Sequence, residues 1–121
     1  MPSDEVENIS KQTGKIFIPT PNGYSLENKD LIIYCEGMGT YTKIYLTTGK
    51  EMIMSKTLKA IELSLGDNFC RIHKSYLVNI NHILRYSRSN GYKITLTNDT
   101  VLDVSYRNNE TVLQILKKMS D

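Results

Sequence analysis

The chain has 121 residues, of which 40% are hydrophobic and 23% are charged, and its formal net charge is +2. This length suits one domain, and the composition is ordinary for a globular protein. No segment approaches the ~18 consecutive apolar residues of a membrane-spanning helix. The acidic N-terminus lacks the apolar segment of a secretory signal peptide. We therefore expect a single cytoplasmic domain that does not bind a membrane.

The charge is unevenly distributed along the chain. Residues 71–118 carry eight Lys or Arg against three Asp or Glu, whereas residues 1–70 carry seven against nine. A basic half on a nearly neutral chain indicates an anionic partner on one side of the molecule, although many solvated surfaces share this pattern.

The two cysteines indicate neither a disulfide nor a metal site. Cys35 and Cys70 both lie in apolar runs, which favours two buried free thiols in a reducing compartment. Neither a Cys-x-x-Cys pair nor a His/Cys cluster is present, so we predict no metal and no cofactor.

The first half of the chain predicts short strands. Residues 1–14 are polar without periodicity and predict a linker or disordered N-terminus, so the domain is expected to cover residues 15–121. Residues 15–18 form a strand candidate that ends in a Pro- and Gly-rich turn. Residues 31–35 are a continuous apolar run typical of a buried strand, whereas residues 43–47 alternate and predict a hairpin with the strand that follows.

Two helices are predicted among the later strands. Ser55 is a candidate cap for a helix over residues 56–65, because Leu58, Ile61 and Leu65 fall on one face and Gly66 suits the stop. Strand candidates follow at residues 83–87, 93–97 and 101–104, with a tight turn at Asn90 and Gly91. The last helix is expected over residues 109–119, capped by Asn108 or Asn109, with Val112, Leu116 and Met119 on one stripe.

This order predicts a mostly antiparallel β fold with minor α content. It lacks the repeated strand–helix units of a receiver domain, and no helix-turn-helix is evident. Any contact with DNA is therefore expected to come from loops.

Catalytic chemistry is sparse in the sequence. His73 lies near Ser75, but no Gly-x-Ser-x-Gly turn accompanies them, and we expect no enzyme activity. His73 is either a half-buried histidine bonded to the backbone or a support for a DNA-binding surface.

Residues 69–79 are the most informative stretch. They place Arg71, His73 and Lys74 within four residues, ahead of an apolar run that ends at Asn79. Such a segment can bury one face and present cations on the other, toward a polyanion.

Two other segments are candidates for contact with DNA. Residues 37–42 predict a flexible loop carrying Thr40, Tyr41 and Thr42, which can reach phosphates or base edges or can form an ordinary surface loop. Arg107 is predicted on a loop before the last helix, where it either binds phosphate or guanine or remains a solvated charge. Arg85, Arg88 and Lys93 flank the Asn90–Gly91 turn, and we interpret them as residues that keep a hairpin soluble.

Three segments in order resemble the LytTR family of bacterial DNA-binding domains. They are Ile32 to Leu46, with Gly39-Thr40-Tyr41-Thr42 at its turn; Phe69 to Asn79, matching Phe-x-Arg-x-His-Arg/Lys-Ser-Tyr-x-Val-Asn; and Leu102 to Arg107, with Val-Ser-x-Arg at its end. The middle motif is specific, and the resemblance covers about residues 16–118.

The resemblance implies an elongated stack of small antiparallel sheets with one short inserted helix and a C-terminal helix. It also implies loops that enter successive major grooves, and a role as the output domain of a two-component response regulator. The expected base contacts are Arg107, Tyr41 and Thr40. The expected backbone contacts are Lys74, Arg71, Thr42, Ser105 and Asn108. His73, Ser75 and Asn79 are expected to support them.

The expected partner is double-stranded DNA with tandem half-sites, with self-association on the DNA or through a receiver domain outside this sequence. Thr40 stands where the family more often has Asn, so the target sequence does not transfer. The linker-like first residues favour a fragment of a longer regulator. The alternative function is a β-rich protein-interaction module that uses exposed tyrosines and edge strands.

Overall fold

The computed structural model describes residues 14–119, which form three antiparallel sheets and two α-helices. The strands are β1 (Lys15–Thr20), β2 (Gly23–Asn28), β3 (Ile32–Met38), β4 (Tyr41–Leu46), β5 (Glu51–Met54), β6 (Phe69–His73), β7 (Tyr76–Asn79), β8 (Ile83–Ser87), β9 (Tyr92–Leu96) and β10 (Val101–Val104). The helices are α1 (Leu58–Leu65) and α2 (Tyr106–Met119). The predicted fold class, mostly β with a short inserted helix and a C-terminal helix, is confirmed.

A five-stranded sheet in the order β5-β4-β3-β7-β6 forms the centre of the domain. One of its faces packs against α1 and the β1–β2 hairpin, through a core that includes Ile44, Ile61 and Leu77. The other face packs against α2 and the three-stranded sheet β10-β9-β8, through a core that includes Ile72 and Ile94. Because β3 and β7 are buried on both faces of this sheet, they contain continuous apolar runs in the sequence.

Both helices begin at positions that differ from the prediction. Thr57, and not Ser55, caps α1, because the Thr57 hydroxyl oxygen accepts a hydrogen bond from the Ala60 amide at 3.2 Å. Ser105 stands before α2, and its hydroxyl oxygen accepts the Asn108 amide at 3.2 Å. The cap predicted at Asn108 or Asn109 was therefore wrong, and α2 begins at Tyr106.

The packed face of α2 is shorter than predicted. Val112 is buried and Leu116 packs beside it, as expected, and Ile115 joins them. Met119 is 51% exposed and does not belong to this face. For α1 the predicted face is confirmed, because Leu58, Ile61 and Leu65 are all buried, and each contributes roughly 1.5–3 kcal/mol through burial.

The first hairpin extends further than predicted. β1 continues through Pro19 and Thr20, and β2 pairs with it along its whole length, although no strand was predicted at β2. The predicted linker lies outside the described residues except for Gly14, whose carbonyl accepts the Lys29 amide at 2.9 Å.

The cysteines are free and buried, as predicted. Burial raises the pKa of the Cys70 thiol to about 11 and that of the Cys35 thiol further still. Within residues 14–119, no cluster of three His, Cys, Asp or Glu could hold a metal. Neither helix is long and apolar enough to cross a bilayer.

Candidate nucleic-acid interface

Antiparallel pairing brings two turns of the central sheet together at one of its ends. Gly39 and Thr40 connect β3 to β4, and Lys74 and Ser75 connect β6 to β7. The pairing of β3 with β7 ends with Glu36 opposite Tyr76, so both turns emerge on the same side. They are also joined directly, because the Gly37 amide donates to the Ser75 carbonyl at 2.8 Å.

Both helices also begin at this end of the sheet. Thr42 is paired with Met54, so β5 ends there and leads into α1. The Ser105 amide donates to the Ile72 carbonyl at 2.9 Å, which places the start of α2 beside the end of β6. We call this end the loop edge, defined by residues 39–41, 55–59, 73–75 and 105–108.

The first turn is tighter than the flexible loop predicted over residues 37–42. Met38 pairs with Tyr41, which leaves only Gly39 and Thr40 between the strands. Gly39 has a φ of 76°, as the first central position of a type II′ turn requires. Thr40 and Tyr41 are exposed at the tip of this short hairpin.

Thr42 does not reach the surface of the loop edge. Its side chain is fully buried, and its hydroxyl donates to the Lys56 carbonyl at 2.8 Å. This bond joins β4 to the segment before α1. The structure therefore does not fit the predicted backbone contact, because a phosphate cannot approach the buried Thr42 hydroxyl.

Arg71 braces the second turn from within. Its Nε donates to the His73 carbonyl at 2.9 Å and its Nη2 donates to the Lys74 carbonyl at 2.8 Å. Its Nη1 forms an ion pair with Glu62 of α1 at 2.7 Å. These bonds use three of the five guanidinium N–H donors on the protein itself, so the geometry favours a supporting role over the predicted phosphate contact.

The three residues expected to support the site are held by backbone groups. The His73 Nδ1 accepts the Ser75 amide at 3.1 Å, and the His73 ring lies 5.3 Å from the Tyr76 ring. Asn79 is buried at the far end of β7, where its amide donates to the Ile32 carbonyl at 2.9 Å. His73 and Ser75 therefore stabilise the turn directly, whereas Asn79 stabilises the central sheet from which the turn emerges.

Lys74 and Arg107 share one groove although they are 33 positions apart in the sequence. The groove has a volume of about 450 Å³ and is lined by Arg71, His73, Lys74, Ser105, Arg107 and Asn108. Arg107 is exposed in the first turn of α2, and Lys74 is exposed at the turn. A neighbouring groove runs from Lys74 to Gly39, next to Thr40 and Tyr41. The structure thus brings the predicted contacts Tyr41, Lys74 and Arg107 to one edge.

The family model of the LytTr DNA-binding domain matches residues 22–117. This chain belongs to that family. Its fold is similar to the LytTr DNA-binding domain of a Bacillus cereus protein described as a methyl-accepting/DNA response regulator. The TM-score is 0.74 at 20% identity, over 86% of this chain and 97% of that domain. Comparison with curated protein sequences found no match.

The loop edge of this LytTr domain carries two cations that the sequence analysis missed. Lys56 lies between β5 and α1, and Lys59 lines the groove between Gly39 and Lys74. The predicted β4–β5 hairpin could have revealed these two lysines. Antiparallel pairing returns the end of β5 to the start of β4, and both lysines follow β5 in the chain.

Two carboxylates near the loop edge are paired with cations. Glu62 binds Arg71, and Asp103 binds Lys93 at 2.6 Å. This hydrogen bond and the charge of Lys93 lower the pKa of the Asp103 carboxyl. Within residues 14–119, Lys56, Lys59, Lys74 and Arg107 form no ion pair. The LytTr loop edge is therefore a cationic surface.

Proposed function

We propose that this LytTr domain binds double-stranded DNA sequence-specifically, with the loop edge in the major groove. We further propose that it is the output domain of a bacterial two-component response regulator and regulates transcription in the cytoplasm. Membership of the LytTr DNA-binding domain family supports DNA as the partner. The single observation that supports this placement in the major groove is that Lys74 and Arg107 line the same groove of the protein.

The cations of the loop edge divide into two roles. Lys74, Lys59 and Lys56 each present a point charge suited to backbone phosphates, which set position without reading sequence. Arg107 carries a planar fork of donors that matches the O6 and N7 atoms of guanine. Thr40 and Tyr41, on the neighbouring turn, are proposed to contact adjacent base edges.

Ser105 and Asn108 remain candidates for backbone contacts beside Arg107. The Ser105 oxygen accepts both the amide and the Nδ2 of Asn108, at 3.2 and 2.8 Å. A serine hydroxyl also has one hydrogen to donate. That hydrogen is available for a phosphate oxygen at the mouth of the groove.

Arg107→Ala tests the base-reading role. A duplex selected from random sequences supplies the cognate site, and a scrambled duplex of equal length measures non-specific binding by fluorescence anisotropy. We expect a loss of about 1–3 kcal/mol on the cognate duplex and little change on the scrambled one. Equal weakening on both duplexes would show that Arg107 does not read bases.

Arg107→Lys is the matched variant. It keeps the charge but loses the bidentate fork. Affinity for the scrambled duplex should therefore stay near that of the wild type, while discrimination between the two duplexes falls. Failure of the wild-type domain to bind any duplex in a salt-dependent manner would instead favour the protein-interaction function.

A further inference from the structure

The β8–β9 hairpin ends beside the first turn of α2. Val104 of β10 pairs with Tyr92 of β9, and Ser87 of β8 pairs with Lys93. The turn at residues 88–91 therefore lies at the end of the three-stranded sheet where β10 leads into α2. Arg88 and Arg107 therefore lie at the same end of the domain.

Two contacts fix this hairpin to α2. The Tyr86 hydroxyl donates to the Asn109 side-chain oxygen at 2.7 Å, and Asn109 is buried. The Tyr92 ring lies 6.4 Å from the Tyr106 ring. The turn itself is a compact reversal, with Asn90 and Gly91 at φ values of 56° and 85°.

The groups exposed here suit a polyanion. Tyr106 directly precedes Arg107 and is 87% exposed, more than any other large hydrophobic side chain of the described residues. Arg88 is exposed at the turn and, among residues 14–119, has no ion-pair partner. Lys93 is paired with Asp103, so it neutralises the nearest carboxylate of the hairpin. Glu110, one turn along α2, is the remaining acidic group of this surface.

We propose that the β8–β9 hairpin forms a further DNA contact, in which Arg88 binds a backbone phosphate that flanks the groove entered by Arg107. Tyr106 packs against the sugar-phosphate backbone between them, and its hydroxyl donates to a phosphate oxygen. This contact rests on the proposed function and lengthens its footprint. It carries no base recognition, because Arg88 and Tyr106 meet only the backbone. The earlier interpretation of Arg88 as a solubilising residue is replaced by this assignment.

Arg88→Ala and Arg85→Ala form a matched pair that tests the contact. Arg85 lies on the same hairpin and is exposed, but it adjoins Tyr86 in the strand and so points to the face away from α2. Salt titrations on the cognate and scrambled duplexes give the slope of log K against log salt. Loss of one phosphate contact reduces that slope by about 1 and weakens binding about fivefold at 0.15 M salt, equally on both duplexes. Arg85→Ala should leave both values unchanged.

Three further tests separate the contact from a structural effect. Arg88→Lys restores a cation and should restore most of the salt slope. Phosphate-ethylation interference with Arg88→Ala should lose one position at the edge of the footprint, while the positions nearest Arg107 persist. Tyr106→Phe removes only the hydroxyl and should lower the affinity for both duplexes. Tyr106→Ala should lower that affinity further.

The outcomes distinguish this inference from the proposed function. If Arg88→Ala matches Arg85→Ala while Arg107→Ala still loses discrimination, the hairpin contact is overturned and the proposed function stands. If the wild-type domain binds no duplex, both fail.

Discussion

Arg71 and Lys74 illustrate how two cations three residues apart can have different roles. The Arg71 guanidinium donates hydrogen bonds to the His73 and Lys74 carbonyls and to the Glu62 carboxylate. Lys74 is exposed and stands at the junction of the two grooves. Arg71 therefore stabilises the turn, and Lys74 is exposed on that turn.

Lys74→Ala should weaken binding to every duplex by a similar factor. Removing one phosphate contact should reduce the salt slope by about 1, measured by titration from low to high salt. Lys50→Ala is the control, because Lys50 connects β4 to β5 at the opposite end of the sheet from the loop edge. An unchanged slope for Lys74→Ala, or an equal change for Lys50→Ala, would contradict the phosphate contact.

Sequence reasoning at this scale predicted residues that lie exposed at the loop edge, but it did not predict that Thr42 and Arg71 bond to the protein itself. Lys74 and Arg107 stand in motifs that could be matched position by position. Thr42 and Arg71 could not be assigned in this way, because their partners, Lys56 and Glu62, come from the segment that contains α1. Short polar side chains near a turn look alike in sequence whether they face solvent or the core.

At the scale of elements, two 3-10 turns are stabilised by the same kind of local hydrogen bond. Asn28 and Asn79 each precede such a turn, and each side-chain oxygen accepts an amide two residues on, at 3.1 and 3.0 Å. They differ in burial, because Asn28 is exposed whereas Asn79 is 1% exposed. Asn79 also donates to the Ile32 carbonyl, so it joins β7 to the start of β3.

This difference predicts unequal costs for the same substitution. Asn79→Ala leaves the buried Ile32 carbonyl without its side-chain donor, so the free energy of unfolding should fall by about 1–3 kcal/mol. Asn28→Ala should cost less, since water can replace an exposed hydrogen bond. Urea denaturation of the two variants measures both values. Equal losses would show that the buried bond adds nothing to the local turn.

Elements were predicted where periodicity was strong. The sequence patterns predicted β3, β4 and the apolar face of α1, whereas β2 has exposed Tyr24 and Leu26 in place of a clean alternation. The starts of both helices were misplaced because each is preceded by more than one residue able to cap. Ser55 and Thr57 both precede α1, and only Thr57 caps it.

At the scale of the whole molecule, the loop edge is a rigid platform assembled from remote segments. The Arg71–Glu62 pair ties α1 to the second turn, and the Gly37–Ser75 hydrogen bond ties the second turn to the first. Turns that are already fixed lose little conformational entropy on binding. We therefore infer that the surface changes little when DNA is bound, although the DNA itself can bend.

The proposed tandem half-sites give a prediction for two copies of the domain. Half-sites separated by 10–10.5 base pairs place two copies on the same face of the duplex, about 34–36 Å apart. If the copies contact each other there, the second should bind more tightly than the first because it is held at a high effective concentration. A five-base-pair insertion turns the second site to the opposite face and should abolish this gain. Gel-shift titrations on both duplexes measure it, with one half-site scrambled as the control. Equal occupancy at both spacings would mean that the copies bind independently, and self-association would then require a segment outside this domain.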